Sequence, residues 1–198
     1  MLLNLNLLKV SNYMNMVFSN HQKIIIAFFL LIFSVFFRLL PHPANFAPVA
    51  AAATVSAMYL GRRWAVVIPI LIMFISDILI GFYNFPIMLA VYGSFIIIGL
   101  INSFVKNKDL IGIFTRSIIG SVFFFVVTNW AVWQFSFLYQ HNWLGLTQTY
   151  LMAVPFFRNT LVGDLIYLFG FVGAVELFCL ARKFKKEKSF VYQLPSVN

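Results

Sequence analysis

Long apolar runs constrain this chain more than any other feature of its sequence. Candidate helices cover residues 24–40, 46–60, 64–82, 86–104, about 112–138 and 160–181. Most of these runs are long enough for an α-helix to cross the hydrocarbon core of a bilayer. Because 62% of the 198 residues are hydrophobic and 10% are charged, a soluble domain could not bury them all. The sequence therefore predicts an all-α, polytopic membrane bundle of six transmembrane helices.

Two of the apolar segments are too short to cross a bilayer unaided. The second candidate span, residues 46–60, reaches about 23 Å at the helical rise and needs help from its flanks or a thinner bilayer. Residues 146–157, just before the last span, are shorter still. They are expected to form a re-entrant or interfacial segment that ends at Pro155.

The chain divides into three parts on this interpretation. Residues 1–22 lack the ordered parts of a signal peptide and are expected to form a surface-lying or disordered leader. Residues 23–182 form the six-helix transmembrane domain, and residues 183–198 form a basic cytoplasmic tail.

The positions of the cations predict the orientation of the helices. If six spans begin from a cytoplasmic N-terminus, eleven of the fourteen lysines and arginines face the cytoplasm. These eleven are Lys9, Lys23, Arg62, Arg63, Lys106, Lys108, Arg182, Lys183, Lys185, Lys186 and Lys188. So uneven a distribution favours cytoplasmic N- and C-termini. The net charge of +9 thus reflects topology, and a nucleic-acid partner is not expected.

Acidic residues inside the predicted spans indicate where function could lie. Asp77 and Asp164 each fall roughly 6–8 Å below the predicted outer surface, at the level where Arg38 and Arg158 enter. Charges inside a membrane are costly, so such groups are paired, functional or both. The plainer alternative is that these ion pairs only hold helices together, with the Trp and Tyr residues forming an interfacial belt.

Polar and aromatic groups from several helix ends and turns meet at the same predicted level. One of the turns, Arg38–Pro48, holds three prolines that make a continuous helix across it unlikely. The candidate substrate-binding residues are Arg38, His42, Asn45, Asp77, Tyr92, Asn129, Trp130, Trp133, Arg158, Asn159, Thr160 and Asp164. This layout is typical of a site that captures a small polar or aromatic-compatible solute from outside.

The cytoplasmic half of the predicted bundle holds fewer polar groups within its spans. Arg116 and Glu176 lie at similar depths from the inner side and are expected to form a structural ion pair. Ala53, Ala57 and Gly61 recur every four residues, so one face of the second span is nearly flat. That face serves packing within the chain or docks a partner membrane subunit.

Catalytic motifs do not support an enzyme. An intramembrane aspartyl protease carries Gly-x-Gly-Asp and Tyr-Asp, where this chain has Val162-Gly163-Asp164 and Ser76-Asp77. HExxH and nucleotide-binding motifs do not occur, so no catalytic residue, metal or cofactor is expected. An intramembrane enzyme and a membrane scaffold without a ligand remain the alternatives to a solute-binding protein.

Four stretches resemble the signatures of an uncharacterised family of small bacterial inner-membrane proteins. They are Arg38–Pro48, Ser76–Phe82, Thr128–Trp133 and Pro155–Asp164, the first and last reading RLxPHPxNFxP and PFFxNTLxGD. The resemblance implies the bacterial inner membrane but no particular activity.

In size and six-helix plan the chain is also similar to the S components of energy-coupling factor vitamin transporters. This likeness implies uptake of a vitamin or micronutrient bound near the outer face. It also implies a transmembrane coupling subunit with ATPases, which would dock on the small-residue second span. If the solute were a corrinoid, its ligand would be His42 or His141, or it would have no protein ligand at all, because Cys179 lies at the predicted cytoplasmic end.

Overall fold

Helices form nearly all of the structure, a computed structural model that describes residues 18–105 and 109–191. Most of the predicted leader and the end of the predicted tail lie outside these residues. The helices are α1 (Asn20–Leu39), α2 (Val49–Val55), α3 (Arg62–Ile80), α4 (Phe85–Phe104), α5 (Leu110–Phe135) and α6 (Trp143–Val191). A π-helical turn, Ser56–Leu60, continues α2. The described residues contain no β-strand, so the predicted all-α class is confirmed.

Five of these helices are long and apolar enough to cross a membrane, counted over the described residues. They are α1, α3, α4, α5 and the part of α6 up to Arg182. Large apolar side chains such as Phe28, Leu79 and Ile119 point outward and are more than half exposed. Apolar surface of this extent is what lipid tails cover. The prediction of a helical membrane protein is thus supported, with five helices of bilayer length and one shorter helix.

The shorter helix lies at the centre of the bundle. Val49–Leu60, here called the central helix, contacts all five of the other helices. All of its residues are buried except Ala57, which is partly exposed. Its run of alanines presents little side-chain bulk, so neighbouring helices can approach closely on every side. Gly61, at φ 100°, then reverses the chain into α3 in a conformation that favours glycine.

Turn residues set the helix boundaries. Asn84 begins α4 by accepting a hydrogen bond from the Ile87 backbone N–H at 3.3 Å, and Asp109 begins α5 by accepting from Gly112 at 2.8 Å. Gly81, at φ 112°, ends α3. These boundaries place Asp77, near the end of α3, beside Arg38, near the end of α1.

The prediction that the segment at residues 146–157 ends at Pro155 is wrong. Trp143–Val191 is one continuous helix of 49 residues, and Pro155 lies inside it. At 1.5 Å per residue this helix is about 73 Å long, more than twice the thickness of a hydrocarbon core.

Packing explains why the helix continues through the proline. Gly145, Thr149 and Ala153 are all buried and spaced four residues apart, so this part of α6 packs along one stripe. The Tyr150 hydroxyl donates to the Val126 carbonyl of α5 at 2.7 Å. Pro155 itself is exposed, away from that contact, where the loss of one backbone hydrogen bond is tolerated.

Candidate functional site

An ion pair joins α1 to α3 where the Arg38–Pro48 turn begins. Arg38 Nη2 lies 2.7 Å from Asp77 Oδ1, and the Asp77 side chain is 1% exposed. The second carboxylate oxygen, Oδ2, accepts a hydrogen bond from the Tyr92 hydroxyl of α4 at 2.8 Å. The other terminal nitrogen of Arg38, Nη1, donates to the Ser76 hydroxyl. Asp77 is therefore neutralised and hydrogen-bonded at both oxygens, as a buried carboxylate requires.

Asp164, on α6, has different surroundings. It is 4% exposed, and its Oδ2 accepts a hydrogen bond from the Ser121 hydroxyl of α5 at 2.7 Å. Among the described residues, no cationic side chain lies within ion-pair distance of Asp164. This carboxylate thus has a neutral donor where Asp77 has an arginine.

A cavity of about 280 Å³ is lined by Asp164 and by Arg38, the ion-pair partner of Asp77. Its polar lining comes from Arg38, Asn45, Tyr83, Thr160 and Asp164. Its remaining walls are apolar and come from Ala47, Val49, Ala50, Met73, Val91, Phe95 and Phe124. Residues from every helix contribute, together with both of the turns that follow α1 and α3. A largely apolar cavity with a few convergent polar groups is the usual form of a small-molecule site.

Four of the predicted site residues line this cavity, and two more support it. Arg38, Asn45, Thr160 and Asp164 line it, while Asp77 pairs with Arg38 and Tyr92 donates to Asp77. Asn45 has a φ of 63°, a left-handed conformation that asparagine tolerates better than most residues. The turn at Asn45 thereby extends the polar lining beyond the helix ends.

Tyr83, which lies in the turn between α3 and α4, contributes a further hydroxyl to the cavity lining. Burial raises the pKa of Tyr83 to about 12, the charge of Asp77 adds to the shift, and Arg38 opposes it. Because a raised pKa favours the protonated phenol, Tyr83 is neutral at physiological pH and can donate a hydrogen bond.

Two further predicted residues hold the Arg38–Pro48 turn in place. The His42 ring nitrogens lie 2.8 Å from the Pro43 carbonyl and 3.2 Å from the Arg38 carbonyl. Asn159 Nδ2 donates to the Ala44 carbonyl at 3.1 Å and so ties α6 to the turn. Both residues position the turn that carries Asn45.

The other predicted site residues lie apart from the cavity. Asn129 donates to the Phe125 carbonyl of its own helix at 2.7 Å, and Trp133 donates to the Gln140 carbonyl at 3.0 Å. Trp130 and Arg158 are exposed. The structure brings none of these four side chains to the cavity lining.

One serine and two phenylalanines line or adjoin the cavity but were not predicted as site residues from the sequence. Ser121 donates to Asp164, and Phe95 stacks on Phe124 with ring centroids 4.9 Å apart. A signal for Ser121 was present, because Ser117, Ser121 and Thr128 recur at helical spacing along α5. The phenylalanines had no such signal among the 25 of the chain.

The predicted Arg116–Glu176 ion pair stays a prediction. Arg116 Nη2 donates to the Val105 carbonyl at 2.9 Å, and Glu176 accepts from the Tyr59 hydroxyl at 2.8 Å. A void of about 10 Å³, the size of one water molecule, is lined by Arg116, Ser117 and Asp164 among others. Asp164 therefore borders both this void and the larger cavity.

The small-residue face on the central helix packs inside the chain. Ala53 is fully buried, and Ala57 and Gly61 are partly buried. This matches the intramolecular interpretation of the repeat, and a docking role stays a prediction. Within the described residues, no group of three His, Cys, Asp or Glu side chains lies close enough to hold a metal ion.

The fold and this site define a helical protein of membrane type with a largely apolar cavity that residues of every helix line. The chain belongs to the family of unknown function DUF6580, whose model matches residues 18–188. This agrees with the predicted membership of an uncharacterised family. No curated protein and no solved structure matches the chain.

Proposed function

We propose that this protein binds a small solute in the cavity between Arg38 and Asp164 and mediates its uptake across the bacterial inner membrane. The observation that carries the proposal is the cavity itself. It is about 280 Å³ in volume and is lined by polar groups that four separate segments supply. Carboxylates and arginines at membrane depth are usually functional.

The positive-inside rule supplies the direction of transport in this proposal. It places both termini in the cytoplasm and the Arg38–Pro48 turn outside, so the cavity opens toward the side from which the solute comes. The similarity to energy-coupling S components suggests a vitamin or micronutrient solute and a coupling subunit with ATPases as partner. Ala57 and Gly61, the partly exposed members of the small-residue repeat, are the proposed contacts with that subunit.

Filling the cavity tests the proposal. Ala47→Phe places a ring where Ala47 lines the cavity, whereas Ala44→Phe places the same ring on an exposed position of the same turn. We expect the natural protein and the Ala44→Phe variant to retain a small molecule in native mass spectrometry and to support its uptake by cells. The Ala47→Phe variant should do neither while remaining folded by size-exclusion chromatography.

Two outcomes would favour the alternative functions. A natural protein that retains no small molecule and supports no uptake would favour a membrane scaffold. Turnover of a lipid or peptide by the purified protein would favour an intramembrane enzyme.

A further inference from the structure

The two acids beside the cavity differ in how their charge is balanced. Asp77 accepts from both Arg38 and Tyr92, so its charge is balanced within the chain. Asp164 is just as deeply buried, and its hydrogen bond in the described structure comes from the neutral Ser121 hydroxyl. An ionised carboxylate in such a site is costly unless a cation approaches it.

The neighbouring cations are directed elsewhere. Arg38 lines the same cavity, but its two terminal nitrogens contact Asp77, Ser76 and Met73. Arg116 borders the small void on the other side of Asp164 and donates to the Val105 carbonyl. The cavity therefore presents a neutral pair on one side and the carboxylate of Asp164 on the other.

The other residues that line the cavity indicate which chemical groups a ligand of Asp164 would have. Phe95 and Phe124, stacked 4.9 Å apart, form an aromatic wall, and Val91 adds an aliphatic surface. A volume of about 280 Å³ accommodates a molecule with one ring and a short chain. A ligand with an apolar body and one positive group would match both features.

We propose that the solute carries a protonated amine that pairs with Asp164 and an apolar or aromatic body that lies against Phe95 and Phe124. This inference rests on the proposed function and names the chemical class of the solute. The hydroxyls of Thr160 and Tyr83 and the amide of Asn45 serve as further hydrogen-bonding partners in the same cavity. Arg38, held by Asp77, disfavours a second positive group on the solute.

Three probes with the same ring separate the contribution of charge from that of shape. Phenethylammonium, 2-phenylethanol and phenylacetate are titrated by calorimetry into the purified full-length chain in detergent. We expect the ammonium probe to bind about tenfold tighter than the alcohol, because close charge pairs at some measured interfaces couple by about this much or more. Phenylacetate should bind more weakly than either.

Matched variants on α6 locate the source of the preference. Asp164→Asn should bind the ammonium and the alcohol equally, whereas Glu176→Gln should keep the tenfold preference. Glu176 is a suitable control because it is an acid on the same helix that accepts from Tyr59 and does not line the cavity.

Either of two results overturns the amine assignment. One is that the natural protein binds the ammonium probe no more tightly than the alcohol, or binds none of the three probes. This comparison uses no variant, so it does not depend on whether a variant folds. The other is that Glu176→Gln loses the preference while Asp164→Asn keeps it. A solute that lacks an amine but is lost in Ala47→Phe would leave the proposed function standing and remove this inference alone.

Discussion

At the scale of single residues, the bundle contains two buried acids that differ in their bonding partners. Asp77 has a charge partner from α1 and a hydroxyl from α4, so it links three helices through one carboxylate. Asp164 links α6 to α5 through Ser121 and leaves part of its carboxylate toward the cavity. Substitution of the two should therefore have different effects, on stability for Asp77 and on ligand selectivity for Asp164.

Removing the charge of Asp77 should destabilise the fold. Asp77→Asn leaves the guanidinium of Arg38 without its counter-ion, which typically costs about 3 kcal/mol for a buried pair. The measurement is the free energy of unfolding by denaturant in mixed micelles. Replacing both partners, as Arg38→Met with Asp77→Leu, should cost less than the sum of the single substitutions. Strictly additive losses would mean that the pair does not couple α1 to α3.

The hydroxyl of Tyr92 makes a smaller contribution to the same carboxylate. Tyr92→Phe removes one hydrogen bond to a charged acceptor and should cost about 2 kcal/mol. The same denaturation experiment measures it. Tyr83→Phe removes a neutral phenol that also faces the cavity but has no hydrogen bond to Asp77, and it should change stability less. An equal loss in both variants would contradict the assigned role of Tyr92.

At the scale of helices, the backbones of α3 and α4 approach closely at one point. A Cβ atom added at Gly99 would collide with the carbonyl oxygen of Ala65, which belongs to the backbone and cannot turn aside. Gly93 lies on the same helix, and a Cβ atom added there would meet nothing within 4 Å. The crossing of these two helices therefore depends on a single glycine.

Gly99→Ala should separate α3 from α4. Forcing a methyl group into that contact should destabilise the fold by about 1–3 kcal/mol. Gly93→Ala is the matched control and should be neutral or slightly stabilising because alanine is the better helix former. Thermal unfolding followed by tryptophan fluorescence in detergent compares the two. Equal midpoints would show that the helices do not meet at Gly99.

Because α6 continues through Pro155, we expect replacement of this proline to stabilise the protein. Pro155→Ala restores a backbone N–H within the helix and should stabilise the protein by about 1 kcal/mol or more, because alanine is the better helix former and the proline ring is exposed. Circular dichroism during thermal unfolding measures the effect. If residues 146–157 were a separate segment that needs Pro155 as its end, the same substitution would lower the midpoint instead.

At the scale of the whole molecule, the turns after α1, α3 and α5 lie at one end of the bundle. The Asn84 side chain donates to the Phe135 carbonyl at 3.3 Å, and Asn159 donates to Ala44. Arg62 and Arg63, which follow the central helix, are exposed at the other end, where Arg62 lies over the ring of Phe104 at the end of α4. The unequal number of cations at the two ends determines which of them the positive-inside rule assigns to the cytoplasm.

Thiol labelling tests that orientation. In a Cys179→Ser background, Ala44→Cys should react with a membrane-impermeant maleimide on intact bacterial cells. Arg63→Cys should react only after the membrane is permeabilised. The two positions are exposed at opposite ends of the bundle, so each serves as the control for the other. The reverse pattern would place the cavity on the cytoplasmic side.

How far the sequence could predict this structure depends on what hydropathy encodes. Hydropathy predicted a helix at 64–82, and both of these bounds lie within two residues of the ends of α3. Gly61 and Gly81 flank the helix in the structure. Hydropathy does not encode which face of a uniformly apolar helix points inward. For this reason Asn129 and Trp133 were expected in the site, while Phe95 and Phe124 were not.

Residue spacing predicted the parts of the site that depend on helix geometry alone. Thr160 and Asp164, four residues apart, do share the cavity lining. The continuous course of α6 could not be predicted, because Tyr150 and Phe157, on either side of Pro155, pack against the Phe125 ring of α5 and offset the cost of the proline. Such compensation depends on neighbours that are distant in the sequence.

The central helix has a consequence for how this family can vary. Its first residues, from Val49 to Ala51, border the cavity or the small void, and the helix as a whole touches every other helix. A larger side chain at Ala50, which lines both the cavity and the small void, would occupy part of the space between Arg38 and Asp164. On the proposed function, homologues that take a smaller solute should therefore carry a larger residue at the position of Ala50.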